Sequence, residues 1–508
     1  MRQSERRARP QTYAILFGIF ASIVLLSHVP WLDLPFFWDE CGYYVPAALD
    51  LYYDGHWVPR STAATAHPPG LSAYLTFTWK LAGYSIPASR VAMLLVASAT
   101  ALVAFLLAIR LSRGCRGAPA FTAVALLLVA PVFYTQAMMA LADLPAALFT
   151  ALALLWFLED RMRLCAAACC ALVLTKETGA IVPLVLALVL WRERRIREAG
   201  WLAGSLAPLA IWLLVLYRTT GHALGSSYFG DYNLWYPLHP VRLGFALLRR
   251  FFFLFVENFH WIGSIALAIA WRRSSLFAGR DWSVAVLLTV VHILGVTLLG
   301  GATLERYLLP VLPVLYAAFA VAFTELAPRV RYLAPVALFG GLLLGVFWNP
   351  PWWPFPHENN LSMTGLIRLH QAAGEYLEGT RPSAKVVTAW PLSDALRRPE
   401  FGYVRRPIMV EGIPDFRRSS VLRLAPGSFD ILLLYSRNWE PPLSLLRLAP
   451  VERFSARYLD YEPRITATEC EKLLSLKREV RWSHGGHWLE IWVPQGGGQL
   501  QSTGAGSS

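Results

Sequence analysis

The stretch YAILFGIFASIVLLSHVPWLDLPFFWDECGYY, Tyr13–Tyr44, decides how the chain is read. Its first half is an apolar run behind Arg2, Arg6, Arg7 and Arg9. A secretory signal would begin in the same way, but no small-residue cleavage site follows, so the run reads as an uncleaved first membrane helix. Directly behind it come Pro30, Trp31, an aromatic run to Trp38, and the adjacent carboxylates Asp39 and Glu40, with Tyr43 and Tyr44 close after. Two carboxylates emerging at a membrane surface are costly and call for a reason.

Outward from this stretch the same pattern repeats. Hydrophobic residues make up 56% of the 508 and charged residues 16%, the latter well below the roughly 25% of soluble domains. Apolar segments fall at about 13–30, 88–110, 118–134, 144–158, 164–175, 178–191, 198–217, 251–271, 282–300, 307–327 and 332–348. They predict a polytopic α-helical membrane protein with about eleven transmembrane helices. Segments 164–175 and 178–191 are each shorter than the ~20 residues a span needs, and read as two short helices meeting at Lys176-Glu177.

The formal charge of +13 could suggest a nucleic-acid partner, but the arginines cluster in short loops between apolar segments. Segments 1–12, 110–116, 159–163, 192–197, 272–280 and 328–331 hold 18 Lys and Arg in 43 residues, whereas the alternate loops hold 9 in 111. That asymmetry predicts a cytoplasmic amino terminus in the cell inner (cytoplasmic) membrane and a carboxy-terminal region outside it. Membrane lipids, not nucleic acid, are the expected surroundings. No internal repeat of the kind found in many transporters is visible.

Residues 1–349 therefore read as a transmembrane domain, with interfacial helices in the outer loop 31–87. Loop 218–250, carrying Tyr228, Tyr232, Trp235 and Tyr236 and then Arg249-Arg250, is a candidate lid or lipid-headgroup guide. Residues 350–494 change in composition and predict a small extracytoplasmic α/β domain. It has a helix over 362–379, strands at 385–389 and 429–435, and a hairpin joining 480–482 to 488–493 across Gly485-Gly486. The tail 495–508, rich in Gly, Ser and Gln, is expected to be disordered. Six cysteines show no CxxC spacing. Cys41 and Cys470 could share an oxidising compartment, but their pairing is not deducible from sequence.

The polar features all fall on the outer side. Asp39 could serve as a base, since a carboxylate near apolar surface can have its pKa raised, with Glu40 orienting an acceptor; an acidic pair at a helix start is the plainer alternative. His67-Pro68-Pro69 either marks a helix start or offers a hydrogen bond at a cavity wall. Asp143 before Leu144-Pro145 suits an N-cap, which can also face a cavity. Lys176-Glu177 is either a structural ion pair or a phosphate-binding lysine with its positioning carboxylate. Arg306, in Glu305-Arg306-Tyr307, either snorkels to the interface or binds phosphate through its forked donors. No Walker A, dinucleotide-binding, HExxH or GxSxG motif is present.

In this order, Asp39-Glu40, His67-Pro68-Pro69, Asp143-Leu144-Pro145, Lys176-Glu177 and Arg306-Tyr307-Leu308-Leu309-Pro310 resemble the GT-C membrane glycosyltransferases. The likeness is to bacterial relatives of protein O-mannosyltransferases and of lipid A aminoarabinose transferases, and covers about residues 10–350. It implies a polyprenyl-phosphate-sugar donor, a lipid, glycan or protein acceptor, and transfer outside the cytoplasmic membrane with inversion. It makes Asp39 the catalytic base or an acceptor-orienting carboxylate. Glu40, His67 and Asp143 would line the acceptor and sugar site, and Lys176 and Arg306 would hold the donor phosphate, supported by Glu177 and Tyr307. A divalent metal on Asp39, Glu40 and Asp143 is conceivable, but the resemblance requires no cofactor. A transporter or flippase of lipid-linked or anionic substrates is the alternative; it would need access from both membrane faces.

Overall fold

The computed structural model describes residues 10–495 apart from 114, 116, 351–355, 426 and 438–442. The chain divides into two compact units. The first runs to Asn349 and takes in Pro356–Met363; the second takes Pro350 and the described residues from Thr364 on. The sequence boundary at 349/350 thus differs for 356–363. Side-chain bonds hold that stretch to the first unit: the Gln136 amide donates to the Glu358 carbonyl at 3.2 Å, and Asn360 donates to the Gly345 carbonyl at 3.0 Å.

All eleven apolar segments are helical. Among the described residues six helices are long and apolar enough to cross a membrane: Pro10–Trp31, Ile86–Leu111, Ile196–Thr220, Arg280–Leu298, Glu305–Thr324 and Val330–Phe347. Pro240–Phe255 with Glu257–Arg273 makes a seventh if counted as one span, bent by 47°. The bend falls where Asn258 and Phe259 both take left-handed backbone angles. The other four segments form shorter helices, among them Pro119–Val129, Asp143–Leu158, Met162–Thr175 and Ile181–Arg192.

Ile86–Leu111 and Glu305–Thr324 form the centre, mostly covered by protein, whereas Pro10–Trp31, Ile196–Thr220 and Val330–Phe347 lie at the periphery. The peripheral helices turn Ile15, Ile19, Ile23, Leu26, Ile211, Leu214, Leu333 and Val336 outward. Rows of exposed branched side chains would be a liability in water and are the expected face toward lipid. The chain is a polytopic membrane protein.

Loop 31–87 carries the helices Val45–Asp54 and Gly70–Ala82. The two short helices expected around Lys176-Glu177 are Met162–Thr175 and Ile181–Arg192. Lys176 between them is extended (φ −150°, ψ 132°), and a single 3₁₀ turn, Glu177–Ala180, enters the second helix. Breaking the helix there releases the lysine and glutamate from the helical surface and sends them in different directions.

The second unit is built on a five-stranded sheet of order β2-β1-β3-β5-β4. β1 (Val386–Ala389) runs parallel to β2 (Val410–Ile413) and β3 (Ile431–Tyr435), while β5 (His487–Pro494) is antiparallel to both β3 and β4 (Leu476–His484). β1 and β3 are buried throughout, as uninterrupted apolar runs in parallel pairing require. The Gly485-Gly486 turn has positive φ at both glycines, the geometry of a two-residue hairpin. Helix Met363–Thr380 lies where 362–379 was expected, and β2 is the strand that the sequence pattern did not signal. The expected disordered tail lies, from residue 496 on, outside the described residues. Cys41 and Cys470 are buried in different units and form no disulfide.

Candidate active site

The site begins at a backbone irregularity. Trp38 has φ +51°, uncommon for a bulky residue. The next turn, Glu40–Tyr44, is π-helical and leads straight into Val45–Asp54. Such bulges recur at functional sites. Here the irregularity points the neighbouring carboxylates of Asp39 and Glu40 at different partners.

Glu40 is completely buried. Its Oε1 accepts from Arg90 Nη1 at 2.5 Å and the Ala140 N–H at 2.7 Å. Its Oε2 accepts from the Phe37 N–H at 2.8 Å and Arg90 Nη2 at 3.1 Å. Arg90, also buried, donates in addition to the carbonyls of Leu34, Pro35 and Met138. A buried charge pair is tolerated when its remaining hydrogen-bonding capacity is filled. This one ties residues 34–40, the central helix Ile86–Leu111 and the approach to Asp143. Sequence analysis expected Glu40 beside Asp39 to orient an acceptor; in the structure both Glu40 oxygens are bonded to groups of the protein itself.

Asp39 faces the other way, its side chain partly exposed at 19%. Its Oδ2 accepts from Arg306 Nη2. Arg306, buried at the start of Glu305–Thr324, also lies 3.5 Å from Asp143 Oδ2 through Nε and 2.9 Å from Glu358 Oε2 through Nη1. Asp143 Oδ1 in turn accepts from Lys176 Nζ, whose ammonium sits 4.4 Å from the Tyr307 ring centroid. Asp39, Arg306, Asp143 and Lys176 thus form an alternating chain of charges, drawn from four separate helix ends.

Hydrogen bonding within this cluster is incomplete. Arg306 Nε and Nη1, Asp143 Oδ2 and Glu358 Oε1 are buried without an aligned hydrogen-bond partner. Buried polar atoms left unmatched are expensive, and their concentration on one cation and two carboxylates marks a place built to take a polar group. Burial, with Asp39 and Asp143 near, outweighs Arg306 and pushes the Glu358 carboxyl up to about 8. That acid was missed by sequence analysis. The signal was the polar run His357-Glu358-Asn359-Asn360 ten residues beyond the last apolar segment.

His67 and Glu177 make an adjoining dyad, with Nδ1 2.8 Å from Glu177 Oε2. Gly70 brings them together: a Cβ there would collide with the Leu174 carbonyl, so only glycine lets Gly70–Ala82 start this close to the broken helix. Burial alone would raise the Glu177 carboxyl, but His67 and Lys176 hold it down at about 2. The imidazole stacks on Tyr44, with centroids 5.3 Å apart, and meets Phe229 edge-on at 5.4 Å. Lys176 and Glu177, adjacent in sequence, therefore serve different partners. A second pair also borders the site: Arg249 donates to Glu305 at 2.8 Å, and the buried Arg250 lies 5.9 Å from the Tyr307 ring.

For a metal, the donor set is compromised. Glu40 is taken by Arg90, and Asp39 and Asp143 by Arg306 and Lys176. Among the described residues no group of three or more His, Cys, Asp or Glu is placed to hold an ion.

No family model matches the chain, and no curated protein matches it by sequence. Solved structures do match. ArnT from Cupriavidus metallidurans bound to undecaprenyl phosphate aligns over 95% of this chain and 98% of its own at 16% identity, with a TM-score of 0.54. The apo form of the same protein gives 15% identity over the same shares, with a TM-score of 0.51. The oligosaccharyltransferase AglB from Archaeoglobus fulgidus, in complex with an inhibitory peptide and a dolichol-phosphate, aligns over 83% of this chain and 69% of its own at 10% identity, with a TM-score of 0.47. At such identities the ArnT likeness is one of architecture: the chain has the fold of the GT-C membrane glycosyltransferases.

Proposed function

We propose that the protein is a glycosyltransferase that moves a sugar from a polyprenyl-phosphate donor to an acceptor on the outer face of the cytoplasmic membrane. The observation that carries this reading is the pair of buried cations, Arg306 and Lys176, joined through Asp143 beside the partly exposed Asp39. Two cations at membrane-helix ends suit a phosphate monoester, the group released when a sugar leaves a polyprenyl phosphate. The ArnT structure that shares the fold was solved with undecaprenyl phosphate, a ligand of that class.

In this mechanism the acceptor oxygen or nitrogen attacks the anomeric carbon as its bond to the phosphate oxygen breaks. The electron pair of that bond goes to the phosphate, where Arg306 and Lys176 stabilise the growing charge. Asp39 takes the acceptor proton. One displacement with one base inverts the anomeric centre, in contrast to the two-step pattern of retaining glycosidases. As the phosphate takes up Arg306, it loosens the arginine's hold on Asp39 and restores that carboxylate as a base. Charge stabilisation is the larger task. His67, braced by Glu177, and Tyr307 line the site. The cations meet the leaving charge themselves, so this path calls for no cofactor.

The test is transfer of labelled sugar from a lipid-linked donor by membranes carrying the wild type, Asp39→Asn or Arg306→Ala. Both variants are expected to lose transfer; full activity in both would overturn the assignment.

A further inference from the structure

The turn that carries Arg306 is unusually long for its type. Glu305–Val311 is 3₁₀-helical over seven residues, where such runs seldom exceed about 3–4. Pro310 lies inside it. In a 3₁₀ helix the carbonyl of residue 307 would accept from the N–H of residue 310, and proline has none. A side chain fills the gap: His292 Nε2 lies 2.9 Å from the Tyr307 carbonyl oxygen. A carbonyl can only accept, so Nε2 carries the proton and donates.

His292 stands within the membrane helix Arg280–Leu298 and is buried. Its Nδ1 is also buried, with no hydrogen-bond partner among the described residues. An ionisable ring is rare within a membrane helix, and a bare ring nitrogen there is costly. Packing does not account for the choice of residue. The ring borders a small cavity with Leu107, Leu154, Thr150 and Thr289, a place that a leucine would line without the polar cost. What the histidine supplies, and an aliphatic side chain cannot, is the N–H for Tyr307.

The placement of Tyr307 bears on both cations of the site. Lys176 Nζ lies 4.4 Å from its ring centroid and the Arg306 guanidinium carbon 5.7 Å. Arg306 is also its neighbour in the turn, so a shift of the turn moves the guanidinium relative to the Lys176 ammonium. Two cations that share one phosphate must keep their spacing.

We propose that His292 is a positioning residue for the donor phosphate: its ring N–H replaces the donor that Pro310 lacks and fixes the Arg306–Tyr307 turn opposite Lys176. The inference rests on the glycosyltransferase reading and extends its donor site to a residue that acts on the phosphate only through Arg306 and Tyr307.

The test measures undecaprenyl phosphate binding, sugar transfer and thermal midpoint on the full-length protein in nanodiscs. His292→Leu should weaken undecaprenyl phosphate binding about tenfold, the scale of one buried carbonyl left unmatched, and lower transfer with it. His292→Gln, whose amide N–H can reach the position of Nε2, should bind within about threefold of the wild type. His292→Asn, one methylene shorter, should resemble His292→Leu. In an Arg306→Ala background, His292→Leu should cost no further binding, because residues that act as a unit do not add. Leu288→Ala, which opens space at a buried position one turn away on the same helix, should lower the midpoint and leave binding unchanged.

The positioning role is overturned if His292→Leu binds as the wild type does, or if His292→Gln is as weak as His292→Leu. It is equally overturned if the His292→Leu loss adds in full to that of Arg306→Ala, or if Leu288→Ala weakens binding as much, which would make the effect one of general packing. Failure of the wild type to bind undecaprenyl phosphate would strike the donor reading itself and take the role of His292 with it.

Discussion

Asp39 and Glu40 are consecutive, both acidic, and both paired to an arginine, yet they belong to two different kinds of ion pair. Glu40 and Arg90 are closed: both oxygens and the guanidinium are matched by backbone groups and each other, with no exposure to speak of. Asp39 and Arg306 are open: Asp39 is partly exposed, and Arg306 is shared among three carboxylates with two of its nitrogens unaligned. A closed pair holds a fold together, whereas an open one can exchange partners. The difference between neighbours comes from one turn of irregular backbone at Trp38 and the π turn behind it.

The largest effect expected is at Asp39. Loss of a general base costs about 10²–10⁴-fold in rate, so Asp39→Asn should lower kcat by that order in the labelled-sugar assay. Arg306→Ala removes a charge-stabilising donor and should cost about 10²–10³-fold, accompanied by weaker donor binding. On the closed side, Glu40→Gln should act on stability: leaving Arg90 buried without its partner costs about 3–5 kcal/mol. It should appear as a lower thermal midpoint in detergent, and the double change Glu40→Leu with Arg90→Met should recover much of it. If Glu40→Gln instead lowers kcat with no loss of stability, the two pairs are not different in kind.

A smaller effect is expected at Glu358. Its carboxyl, raised to about 8 by burial first, is neutral through pH 7 and ionises above 8. Once ionised it competes with the donor phosphate for Arg306. Donor affinity should therefore fall several-fold as pH rises past 8, and Glu358→Gln should flatten that decline. An unchanged alkaline limb in Glu358→Gln would assign the pH dependence to another group.

Asp39, Asp143, Lys176 and Arg306 could be picked out from the chain because each stands where an apolar segment begins or ends, and the structure brings the four side chains together. Glu40 was read as a positioning residue beside Asp39 and not as the partner of Arg90, since adjacency says nothing of which way a π turn sends each side chain. Nothing in the sequence marks Arg90 at the start of segment 88–110, because its partners lie far away in the chain, at Glu40 and at the Met138 carbonyl. Glu358 was hidden by composition: it follows a Pro- and Trp-rich stretch that resembles a domain boundary, although the fold returns 356–363 to the first unit. β2, Val410–Ile413, escaped because Glu411 and Gly412 interrupt a strand of only four residues. Segment length limited the count of spans, because apolar composition marks a helix but several of these helices are too short to cross alone.

The most direct measurement takes purified wild type and Asp39→Asn, and determines undecaprenyl phosphate binding and sugar transfer on the same preparations. The account predicts that Asp39→Asn retains the ligand, since Arg306 and Lys176 are intact, and loses transfer. Transfer at the wild-type rate, or loss of transfer that merely follows loss of binding, would contradict it.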